Sequence, residues 1–129
     1  MPYGKEKFLA LLSKTEITSM AVEAEQTIYT VPTGKTCILA FAWLKFSGDA
    51  GAAGVFTIGQ NGAETDWVAT INSDNADAAL DVLPIGPIFN ATPPTLKEYV
   101  AGELIQFDVA TAANAVTGTL YLFGFLDDA

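Results

Sequence analysis

Few residues in this chain could make or break bonds, and their types exclude more chemistry than they permit. There is no histidine, and Cys37 is the single cysteine. The commonest general base, the commonest zinc ligand and every Ser-His or Cys-His nucleophile pair are therefore missing. Cys37 opens the apolar run Cys37-Ile-Leu-Ala-Phe-Ala-Trp-Leu44, with Lys35 the nearest cation in sequence. A reactive thiolate needs positive charge or a base beside it, and this setting points to a buried structural thiol. A lone cysteine also excludes a disulfide framework within the chain.

Carboxylates gather at Asp66, Asp74, Asp77 and Asp81. Calcium takes oxygen ligands from such loops, but the glycine and the bidentate glutamate of an EF-hand loop are absent, so the reading is a solvated acidic loop. A carboxylate pair could also serve as a glycosidase acid and base, a signal any acidic protein offers. Gly48, Gly51 and Gly54 are followed by no Gly-Lys-Ser/Thr and are no phosphate loop. Trp43, Trp67, Tyr29 and Tyr121 could form a platform for sugar rings. Core and interface packing is the commoner use of aromatics. These residues make no case for an enzyme, a metal site or a cofactor.

The elements that hold the apolar residues carry more information. A length of 129 residues suits one domain with its own core. Half of the residues are hydrophobic and only 16% are charged, which suggests surface that an assembly covers. The net charge of −9, with three of six lysines (Lys5, Lys7, Lys14) in the first fourteen positions, leaves no basic cluster for a nucleic-acid backbone. The run Phe8-Leu-Ala-Leu-Leu12 is shorter than the ~7–15 residues of a signal-peptide core. No stretch approaches the ~20 apolar residues that span a bilayer. The expectation is a protein made and assembled in a cytoplasm, with no membrane partner.

Residues 1–15 read as a separate short helix or arm, because Phe8, Leu11 and Leu12 fall at helical spacing among good helix formers. From there to residue 129 the chain reads as β, with strands over Ile17–Val22, Thr27–Val31, Thr36–Phe46, Val55–Ile58, Asp66–Ile71, Leu80–Leu83, Tyr99–Val109 and Val116–Leu126. Turn signals recur every 8–12 residues or so, which predicts an all-β sandwich or jelly roll. Pro84, Pro87, Pro93 and Pro94 demote their region to loop or edge. In the last strand Leu120, Leu122 and Leu126 share one face, and Tyr121, Phe123 and Phe125 share the other. A strand with two apolar faces must be covered on both, and the second cover is expected to be another subunit.

Two segments carry a resemblance. Thr27-Ile-Tyr-Thr-Val-Pro-Thr-Gly-Lys-Thr36 resembles a strand-turn-strand entry found in virion proteins of tailed phages. Tyr99-Val-Ala-Gly-Glu-Leu-Ile-Gln-Phe-Asp-Val109, closing with Leu120-Tyr-Leu-Phe-Gly-Phe-Leu126, resembles the ending of small β-sandwich head and tail accessory proteins. Together they cover about a third of the chain. The resemblance implies a non-enzymatic virion structural protein of the capsid decoration (cement) type, a homotrimer that contacts the major capsid protein and has no catalytic residues. On this reading Trp43, Tyr121, Phe123 and Phe125 form the oligomer interface. Lys5, Lys7, Phe8, Leu11, Leu12, Pro87 and Pro93 contact the capsid. The alternatives are a tail or head-fibre module and, from another class, a carbohydrate-binding module.

Overall fold

The computed structural model describes residues 8–87 and 96–129. They form nine strands: β1 (Ala10–Ile17), β2 (Glu25–Thr30), β3 (Lys35–Phe46), β4 (Val55–Gln60), β5 (Ala63–Asn72), β6 (Val82–Ile85), β7 (Glu98–Val100), β8 (Leu104–Thr111) and β9 (Gly118–Asp128). Two antiparallel sheets face each other. One runs β1-β9-β3-β6, with β7 also paired to β3; the other runs β2-β8-β4-β5. The chain crosses repeatedly from sheet to sheet, so among the described residues β4 and β5 are the one pair of consecutive strands that are hydrogen-bonded to each other. Leu39, Ala42, Leu44, Leu120 and Leu122 of the first sheet enclose this core with Phe56, Ile58, Ile105, Phe107 and Val109 of the second, all buried. The all-β sandwich expected from the sequence is what forms.

Three local expectations are corrected. The helix over Lys5–Lys14 is not formed in its described part: Ala10–Ile17 is β1, which pairs with β9 from Ala10↔Gly124 to Ile17↔Gly118. Tertiary pairing overrides helix propensity here. β1 thus runs through position 15/16, where the sequence places the end of the arm, and the strand expected over Ile17–Val22 ends at Ile17. The single strand expected over Tyr99–Val109 is two strands in different sheets. Gly102, at φ 86°, turns the chain between β7 and β8, a conformation glycine adopts without steric cost.

The edges differ. β1 and β2 are stitched together at their seam, where Thr15 Oγ1 donates to the Ile28 carbonyl at 3.2 Å and Gln26 Nε2 to the Glu16 carbonyl at 2.6 Å. On the opposite side, β5 and β6 border an open cleft of about 560 Å³ lined by Val68, Ile71, Leu83, Ile85 and Asp74 among others. Pro84 sits in β6 opposite Trp43, at a sheet edge where a missing N–H is tolerated.

Candidate functional site

The outer face of the first sheet is built by register. Directly opposite residues in an antiparallel pair share a face. Trp43 lies opposite Tyr121, Phe41 opposite Phe123 and Ile38 opposite Phe125, while β1 places Leu11 opposite Phe123 and Lys14 opposite Tyr121. The inner face of the same strands is already full, with Leu120 and Leu122 completely buried. The outer residues therefore have no place in the core of this protomer.

A contiguous aromatic cluster results. The Phe41 and Phe123 rings stack with centroids 4.7 Å apart and planes 19° apart. Trp43 tilts against both, at 4.8 Å from Phe123 and 5.7 Å from Phe41. Such offset or tilted pairs contribute about 0.5–1.5 kcal/mol beyond their burial. Yet Trp43 remains 45% exposed, and Leu11 (51%) and Val82 (48%) extend the apolar surface to both sides. Lys14 Nζ lies 5.8 Å from the centre of the Tyr121 ring, a cation–π distance.

Strand geometry sets the size of this face. Eight positions along β3, from Ile38 to Lys45, and four strands side by side span ~26 by ~19 Å, or ~500 Å². Its charges sit at one end. Lys45 lies opposite Thr119, and Thr119 lies opposite Glu16, to which its hydroxyl donates at 2.8 Å. Among the described residues, neither Lys14 nor Lys45 takes part in an ion pair, whereas Lys35 pairs with Asp128 and Lys97 with Asp66.

The four residues expected at an oligomer interface, Trp43, Tyr121, Phe123 and Phe125, thus share one face. Of those expected to contact a capsid, Leu11 lies on that same face. Phe8 is exposed, and Pro87 lines the β5–β6 cleft. Leu12 is partly buried against the core. Lys5, Lys7 and Pro93 lie outside the described residues. Phe41 belongs to the cluster although strict alternation along β3 gives no hint of its partners. A bulge between Leu39 and Phe41 shifts the register, so that Cys37 and Leu39 point inward while Phe41 and Trp43 point outward.

The other candidates resolve differently. Asp66 lies in β5, where it accepts hydrogen bonds from Tyr99 Oη at 2.8 Å and the Gln60 amide at 3.1 Å. Asp81 caps its own loop, accepting from the Asp77 and Ala78 amides at 3.1 and 3.0 Å. Asp74 and Asp77 are exposed. Among the described residues no three potential metal ligands come together. Cys37 is fully buried, and burial pushes its thiol up to about 11, which makes it unreactive. Trp67 is buried and Tyr29 half-buried, so of the four aromatics considered for a sugar platform only Trp43 and Tyr121 share a surface. Leu80, at the end of the acidic loop, carries a signal the sequence does not announce. It is 73% exposed and held at φ 72°.

In sequence, the chain matches no family model and no curated protein. In structure it is similar to a chain described as "Cyanophage Pam1 capsid asymmetric unit", with a TM-score of 0.56 and 15% identity over 97% of this chain and 90% of that one. At that identity the likeness is one of fold, and it extends over nearly the whole of both chains.

Proposed function

We propose that this chain is a non-enzymatic structural protein of a phage virion, a capsid decoration protein that oligomerises and binds the head lattice to stabilise it. The observation that carries this reading is the Phe41–Trp43–Phe123 cluster, two half-buried rings and an exposed one, on the outer side of a sheet whose inner face is already filled. A sheet face of ~500 Å² with an aromatic centre and a half-exposed tryptophan, on a protein with net charge −9, suits a contact with another macromolecule. The fold supports the assignment. The order β1-β9-β3-β6 against β2-β8-β4-β5 interleaves strands as a jelly roll does, an architecture of viral capsid domains, and the structural likeness is to a chain of a phage capsid unit.

In this account the aromatic face joins copies, as a homotrimer. Phe8, with the segment that precedes it, and the Pro87 region contact the major capsid protein. Each subunit joint buries apolar surface at roughly 25 cal/mol per Å² before association costs, and repetition over a symmetric shell multiplies a modest contact. Binding purified chain to heads of its own virus and reconstructing the particles tests the reading. Density at lattice symmetry axes supports decoration. Density in the tail or fibre supports the runner-up module, and no binding to any particle part removes the virion assignment.

A second reading has one observation in its favour: Trp43 is half exposed beside Tyr121, as a sugar platform requires. Its ring neighbours on this face are Phe41 and Phe123, hydrophobic rings with no hydrogen-bonding groups to offer a sugar. Saturable binding to a glycan array, lost in Trp43→Ala, would establish that reading in place of the first.

A further inference from the structure

Asn61 is the one asparagine of five that a glycine follows. With Gly62 it forms the exposed turn between β4 and β5, closed by the pair Gln60↔Ala63. Gly62 takes φ 86°, while Asn61 stays outside the left-handed region, so the second turn position is the one that calls for glycine. Such a pair is chemically labile. The Gly62 amide nitrogen can give up its proton to hydroxide and attack Cγ of the Asn61 side chain. The Cγ–Nδ2 bond then breaks, ammonia leaves, and a five-membered succinimide remains. Water reopens this ring at either carbonyl, giving aspartate or isoaspartate. Glycine has no side chain to hinder the closure.

The turn holds the reacting proton back. The Gly62 amide donates to Glu64 Oε1 at 2.8 Å. This hydrogen bond, and then one from its own amide, hold the Glu64 carboxyl below its ordinary range, so the acceptor is an anion at neutral pH. Taking the proton away forfeits a charge-assisted hydrogen bond and leaves a negative nitrogen facing a carboxylate. The same carboxylate repels the incoming hydroxide. We propose that Asn61 is the site at which the folded chain deamidates, and that Glu64 slows the reaction by holding the Gly62 amide.

The other described asparagines are placed differently. The amide after Asn72, that of Ser73, donates to the Gly54 carbonyl at 3.0 Å, and the amide after Asn75, that of Ala76, donates to the Ser73 carbonyl at 2.9 Å. Asn114 Nδ2 donates to the Asp49 carbonyl at 3.1 Å. Asn90 lies outside the described residues. The products at Asn61 have structural consequences. Aspartate adds a carboxylate two positions from Glu64. Isoaspartate lengthens the backbone by a methylene in a turn that is closed by Gln60↔Ala63 and anchored by the Asn61 amide on the Leu104 carbonyl at 2.9 Å, so the end of the β4–β5 hairpin loses its register. The inference is independent of the reading of the aromatic face.

The test incubates the full wild-type chain, Glu64→Gln and Glu64→Ala in mildly alkaline buffer, folded and in urea, and follows aspartate and isoaspartate at each asparagine by peptide mapping. Desolvation and the nearby Glu64 charge raise the Glu25 and Asp108 carboxyls, so both variants relieve repulsion and are expected to keep the native circular dichroism spectrum. In the folded state Glu64→Ala is expected to deamidate at Asn61 about tenfold faster than wild type, and Glu64→Gln, which keeps a neutral acceptor, about threefold faster. In urea the three rates are expected to converge. Equal folded rates, or the same differences in urea, overturn the role of Glu64. First modification at another asparagine in the folded wild type overturns the site.

Discussion

Phe41 on β3 and Phe123 on β9 stack face to face at 4.7 Å, on the side of the sheet away from the core. This contact joins the two longest strands of the first sheet, and it lies where a neighbouring subunit would cover it. Placing a charge there separates folding from assembly. Phe123→Asp loses the ring pair, about 0.5–1.5 kcal/mol within the protomer. Across a desolvated joint, an unpaired carboxylate costs several kcal/mol. The expected variant is folded by circular dichroism and dissociated by size-exclusion chromatography. A folded variant of unchanged mass would show that the joint uses another surface.

Tyr99 and Asp66 tie the two sheets together. Tyr99 is fully buried on β7, and its phenol donates to the Asp66 carboxylate on β5 at 2.8 Å. Tyr99→Phe leaves that carboxylate with the Gln60 amide and the Lys97 ammonium, which lies 3.4 Å from Oδ2. Removing a donor from a partly buried charged acceptor is expected to cost about 1–3 kcal/mol. Urea unfolding of both proteins checks this, and equal midpoints would contradict it.

Alkaline stability follows from Cys37. Burial raises its thiol from 9.0 to about 11 in the folded chain. The unfolded chain therefore releases this proton first, so stability is complete below about pH 9 and falls as pH rises toward about 11. A displacement of this size is worth about 2 kcal/mol at the upper end. Tyr99, held protonated by burial and by Asp66, adds to the loss above about pH 10. The slope of urea midpoint against pH is expected to be shallower in Cys37→Ala than in the wild type between about pH 9 and 10. Parallel slopes would assign the loss to other groups.

Truncation separates β1 from what precedes it. Deleting residues 1–14 removes five of the eight residues of β1, including Leu12 on the core, and uncovers the β9 edge. Loss of that burial is expected to cost about 2–3 kcal/mol, with aggregation promoted by the unpaired edge. Deleting residues 1–7 alone leaves β1 whole. It is expected to keep the melting temperature while weakening attachment to heads, measured by co-sedimentation. Equal binding of the shorter chain would move the capsid contact elsewhere, to Pro87 first.

The legibility of this fold in its sequence depended on register. Along β9 strict alternation holds, so Tyr121, Phe123 and Phe125 could be assigned to one face from spacing alone. Along β3 the bulge after Leu39 inverts the pattern, and a one-residue slip reverses every later side chain. Phe41 was invisible for that reason. β1 reads as helix from spacing, because Phe8, Leu11 and Leu12 match a helical period, and pairing with the edge of β9 makes the strand favourable instead. Leu80 was beyond reach, since a positive φ at leucine is set by tertiary hydrogen bonds and not by local preference.

The most direct measurement is the mass of the purified wild-type protein by multi-angle light scattering at low micromolar concentration. The account predicts a single species of three times the 13.6 kDa protomer, reduced to one protomer by Phe123→Asp. A wild-type protein that scatters as a 13.6 kDa monomer would contradict it.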